Sequence, residues 1–170
     1  MRRRNGNKPN HKGRKPTSRF ARLDHRLLNS PAYRSLSPAA RALLVELTML
    51  DNGENNGSLY LSIRDAAGRL GLADLTAVRS AFDELQGLGF IEMTESASFH
   101  VKAAEKSRAR CWRLTWLAGP ERKGPSMAFM DCQPEPGTRA HKRMERGMRA
   151  LKAYRKDRDA GRLPVLDSDT

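Results

Sequence analysis

No stretch of this sequence stays apolar for the roughly 18 residues that a membrane-spanning helix needs. Cysteine is scarce: Cys111 and Cys132 are the whole complement, and their separation matches neither a metal-ligand pair nor a disulfide framework. The opening MRRRNGNKPNHKGRK lacks the apolar core of a secretory signal, so reduced thiols in a cytoplasm are the expectation. The ingredients of catalysis are missing as well. His11, His25, His100 and His141 lie far apart, none at metal-ligand spacing from a cysteine or carboxylate. The one glycine turn of interest, GLADLTAVRS, lacks the lysine of a phosphate-cradling loop, and the paired acids Asp83 and Glu84 fall on a helix face without a cleft. The expectation is a chain that is not an enzyme, with no catalytic residue, metal, cofactor or small-molecule ligand.

Acid is also absent from one region in particular. Residues 1–20 carry eight basic side chains and no acidic one, whereas residues 21–116 carry 12 basic and 11 acidic. Residues 117–170 carry 12 basic and eight acidic, completing a net charge of +13. A nearly neutral globule between basic tails fits a polyanion, because each Lys or Arg that meets a phosphate releases condensed counterions. An anionic membrane would satisfy the charge alone.

The hydrophobic share, 38%, is low for a fully packed chain of 170 residues. Residues 1–19 have no aliphatic side chain after Met1 and read as a disordered basic arm. Order is expected to begin near FARLDHRLL. Two Ser-Pro pairs follow, Ser30-Pro31 and Ser37-Pro38, each setting a capping hydroxyl before a proline suited to the first helical position. Ala40, Leu43, Leu44, Leu47 and Leu50 then recur at spacings of three and four, the pattern of a buried helix that ends at the turn sequence DNGENNG. SLYLS, FIEMT and RCWRLTW read as short strands. Helices are expected over 62–70, capped by Ser62, and 74–88, capped by Asp74, with Gly89 leaving the second at positive φ. The order helix, strand, helix, helix, strand, strand makes an α+β domain over residues 20–117, with three core helices and a small antiparallel sheet. Residues 118–138, rich in proline and glycine, read as a linker. Residues 139–160 read as a basic helix with a narrow stripe of Ala140, Met144, Met148, Leu151 and Tyr154, and 161–170 as a flexible tail.

The stretch AAGRLGLADLTAVRSAFDELQGLGFI raises the functional question. Two helices crossing steeply need small residues where they approach and a residue free to turn between them; Ala67 and Gly71 supply both. Leu70, Leu72, Val78, Ala81, Phe82 and Leu85 would close a shared core. That leaves Thr76, Ala77, Arg79, Ser80 and Asp83 on the outer side of the second helix.

LGLADLTAVRSAFDELQGLGFIEM resembles the recognition helix and first wing strand of winged helix-turn-helix proteins, in which a helix with polar residues near its start is followed by a leucine, a glycine and an apolar strand. Leu85, Gly89, Phe90 and Ile91 stand at those places here. The likeness spans about residues 30–116 and extends to small regulators and replication-initiator domains of bacterial phages and plasmids. Segment 95–109 is longer than the wing of many repressors. The resemblance implies a winged helix-turn-helix fold that binds double-stranded DNA in a sequence-specific way, in the cytoplasm and associated with the nucleoid.

The residues agree with that implication on their own terms. A major groove admits an α-helix and exposes base edges to its N-terminal side chains. Arg79 can bridge two acceptors of guanine, Thr76 and Ser80 can bond a base or phosphate, and Ala77 can meet a thymine methyl; Asp83 faces phosphates badly unless it accepts from cytosine or orients Arg79 four residues before it. The helix itself is not basic. Charge for the phosphates is expected from the arm (Arg2, Arg3, Arg4, Arg14, Lys15), from the wing segment (Lys102, Lys106, Arg108) and from the C-terminal basic helix. Transcriptional regulation is the first expectation and origin binding in phage or plasmid replication the second. RNA binding through the tails, or a protein-interaction adaptor using the 139–159 stripe, are the readings from other classes. Nothing in the sequence decides between a monomer and a homodimer.

Overall fold

The computed structural model describes residues 20–95, 110–119 and 124–162. The arm and the segment 96–109 lie outside the described residues, and with them Arg2, Arg3, Arg4, Arg14, Lys15, Lys102, Lys106 and Arg108.

Among the described residues, six α-helices and three strands follow in the order α1 (His25–Leu28), α2 (Pro31–Ser35), α3 (Pro38–Leu50), β1 (Leu59–Tyr60), α4 (Ile63–Leu70), α5 (Leu75–Gly87), β2 (Ile91–Glu95), β3 (Cys111–Leu114) and α6 (Arg139–Asp159). The fold is α+β, as expected. The count of three core helices is short by α1 and α2, a single turn or little more each, too brief to show an amphipathic period.

Local chemistry sets the helix starts. Ser30 and Ser37 each place a side-chain oxygen on an amide three residues on, with proline next. Ser62 accepts from the Asp65 amide at 3.1 Å and donates back to its carboxylate at 2.6 Å. Asp74 accepts from the Thr76 amide at 2.8 Å.

The strands form one antiparallel sheet in the order β1-β3-β2, with Leu59 opposite Trp112 and Ile91 opposite Leu114. Its inner face meets α3 and α5 in one core. Leu43, Leu44 and Leu47 come from α3; Val78, Ala81, Phe82 and Leu85 come from α5; Leu59, Ile91, Trp112 and Leu114 come from the sheet. The Phe82 and Trp112 rings stack at 5.0 Å between centroids. Leu70 and Leu72 pack against this core while half-buried.

Two segments expected to be simple connections contribute to the packing. In the turn after α3, Asn56 is 4% exposed. Its Nδ2 donates to the carbonyls of Leu114, Leu117 and Ala118, and its Oδ1 accepts from the Leu114 amide at 2.7 Å. In the stretch read as a linker, a 3-10 turn at Ala128–Met130 buries Phe129 completely and stacks it on Phe90 at 5.1 Å. Within this segment Phe129 and half-buried Met127 therefore join the core, while Asp131, Gln133, Glu135, Pro136 and Gly137 are exposed. Helix α6 lies against α2 through half-buried Ala140, Met144, Met148 and Leu151, while Tyr154 at the end of the stripe is exposed.

Candidate nucleic-acid interface

Helix α5 is anchored along one side and free along the other. Val78, Ala81, Phe82 and Leu85 are between 0% and 2% exposed, which fixes the rotation of the helix about its axis. With 3.6 residues per turn, the opposite side then falls to Thr76, Arg79, Ser80 and Asp83, all exposed. Ala77 is half-buried at the margin rather than open with the other four.

The turn into α5 depends on Gly71. It ends α4 at φ +64°, a backbone conformation that costs a side-chain-bearing residue roughly 1–2 kcal/mol. The Leu72 amide reaches back to the Ala67 carbonyl at 2.9 Å, completing the helix terminus. Ala67 is 5% exposed where the two helices approach.

The arginines of the domain divide by what they touch. Arg69 pairs with Glu46 at 3.2 Å, and Arg113 pairs with Glu92 at 3.2 Å while donating to the Gly124 carbonyl. Arg34 donates to Asn29, and Arg41 donates to the Arg34 carbonyl beneath the Tyr33 ring. Arg64, Arg79 and Arg110 have no ion-pair or hydrogen-bond partner among the described residues. Those three line one surface cleft of about 390 Å³, together with Tyr60, Ser62, Ile63 and Leu75. Three uncommitted guanidinium groups around an apolar floor suit an anionic group attached to an apolar or aromatic body, the chemistry of a nucleotide unit. Arg79 makes no ion pair with Asp83, four residues on, and stays available.

Of the thirteen positions singled out from the sequence, five are described: Thr76, Ala77, Arg79, Ser80 and Asp83, all on α5. The cleft adds Arg64, Arg110 and Tyr60. Arg64 sits in the first turn of α4, an unfavourable place for a cation near the positive end of a helix dipole. That local mismatch was the signal for it in the sequence. Tyr60 and Arg110 come together through pairing of β1 with β3, and no local pattern announces that pairing.

On the other margin of α5, Glu84 lies one turn beyond Ser80. Its Oε2 accepts from the Ser37 amide at 2.7 Å and from Arg143 of α6 at 3.5 Å. Among the described residues no group of His, Cys, Asp and Glu could hold a metal ion, and no helix is long and apolar enough to cross a membrane.

No protein-family model, curated protein or solved structure matches the chain.

Proposed function

We propose that the chain is a winged helix-turn-helix protein that binds double-stranded DNA at specific sequences, with α5 in the major groove. One observation carries the reading: α5 buries its apolar side in the core and leaves Thr76, Arg79, Ser80 and Asp83 open, after a tight glycine turn from α4. In this arrangement Arg79 bridges the O6 and N7 acceptors of a guanine, and Thr76 and Ser80 bond a neighbouring base or phosphate. Asp83 accepts from a cytosine amino group. Half-buried Ala77 can touch a thymine methyl only at the margin of the helix. Arg64 and Arg110 meet the phosphates beside Arg79, so that backbone contacts set the register and α5 reads the bases. The β2–β3 hairpin is the wing. Control of transcription, in the cytoplasm and on the nucleoid, is the use we assign; origin binding would employ the same contacts at a different site.

Selection of bound duplexes from a random pool tests the reading. Enrichment of one short sequence is the expected result, and a palindromic one would also establish binding as a homodimer. A pool that stays random after repeated rounds, or duplex displaced by RNA of any sequence, would overturn it.

A further inference from the structure

Helix α6 carries nine basic and three acidic side chains, and its packing on α2 sorts them. Arg143 turns inward: its Nε donates to the Ser35 carbonyl at 2.8 Å and its Nη2 reaches Glu84 on α5. One turn on, Gly147 lies so close to α2 that a Cβ there would come within 3.1 Å of the Arg34 side chain. Ala140, Met144, Met148 and Leu151 fill out this docked side. Helical geometry then puts Arg139, Lys142, Arg146, Arg149, Lys152 and Lys156 on the opposite side, and all six are exposed. Glu145 is the one acid among them, and it lies 3.9 Å from His141. Asp157 and Asp159 are held by Arg162 and Arg158.

The placement of this cationic side matters as much as its charge. The open face of α5 has two margins. Arg79, with the cleft it shares with Arg64 and Arg110, forms one; Glu84, which Arg143 ties to α6, forms the other. A helix lying in a major groove is likewise bordered by two phosphate strands. From Lys142 to Lys156 the basic stripe runs about 21 Å. Each strand presents one phosphate per about 3.4 Å of duplex axis, so the stripe can meet several.

We propose that the exposed side of α6 is a second phosphate-binding surface, gripping the backbone of the same duplex on the Glu84 side of α5. The proposal rests on duplex binding by α5 and adds a strand contact that no part of α5 supplies. Arg143 and Gly147 act by holding α6 in place; the stripe makes the contact.

The test compares the full-length chain with its K142Q/R146Q/R149Q variant, whose substituted side chains all face solvent, after a thermal melt shows both equally folded. Binding is measured against salt concentration on two duplexes about three helical turns long, one enriched by selection and one of mixed sequence. The logarithmic salt slope of the variant is expected to fall by about 1 per side chain removed, with affinity lowered alike on both duplexes. An unchanged slope on a duplex that the unaltered chain binds overturns the proposal and leaves the reading of α5 standing. Failure of the unaltered chain to bind either duplex overturns that reading and this one with it. Loss of binding to single-stranded RNA or to anionic vesicles, with duplex binding intact, assigns the stripe elsewhere and overturns the proposal.

Discussion

Gly89 answers to two neighbours at once. It leaves α5 at φ +71°, and a Cβ there would stand 2.9 Å from the Ala128 carbonyl carbon and the Phe129 amide nitrogen, backbone atoms that cannot swing aside. Gly89→Ala is expected to cost about 2–4 kcal/mol, combining left-handed strain with overpacking, read as a lower urea midpoint at unchanged slope. The strain was legible in the sequence, since glycine after an apolar-periodic run marks a helix exit. The close approach was not, because the opposing backbone lies some forty residues away. The same division holds for other single residues. Ser30, Ser37, Ser62 and Asp74 cap helices as read, since their partners are two or three residues on. Asn56 looked like turn chemistry because asparagine in DNGENNG is locally sufficient for a turn. Its actual partners at Leu114, Leu117 and Ala118 come from across the sheet.

Among the elements, those with a long apolar period were read to within about a residue: α3, α4, α5 and α6. Those held by a few distant contacts were missed. The 3-10 turn at Ala128–Met130 is the clearest case, since a lone phenylalanine among prolines and glycines carries no period at all. Its role is nonetheless that of a core residue, with Phe129 fully buried against Phe90 and the Met127 amide bonded to the Thr115 carbonyl at 3.1 Å. Phe129→Ala is expected to destabilise the domain by about 3–5 kcal/mol, whereas Met130→Ala, at a side chain 46% exposed, should leave the urea midpoint nearly unmoved. Equal and small effects at both positions would return this segment to the status of a spacer. The apolar stripe of α6 was legible, but its partner, α2, was not; a stripe states how much surface must be covered and leaves open by what.

At the scale of the whole molecule, charge and shape are divided among different parts. The central region is nearly neutral, 12 basic against 11 acidic residues, and several of its arginines are spent on internal contacts. Among the described residues, what remains open is a short polar helix face with three arginines that pair with none of them at one margin and a docked basic helix at the other. That separation suits a binder in which few side chains discriminate and many supply attraction. The face of α5 was legible because burying Val78, Ala81, Phe82 and Leu85 leaves no other orientation for Thr76, Arg79, Ser80 and Asp83. The cleft was not, since it exists only once β1 and β3 are paired. The central claim is that Arg79 reads a base rather than merely adding charge. The most direct measurement is the affinity of the unaltered chain and of Arg79→Ala for the selected duplex and for every single-base-pair variant of it. Arg79→Ala is expected to lose about 1–3 kcal/mol on the selected duplex, with preference erased at one base pair and kept at the rest. An equal loss on every duplex, or none, would contradict it.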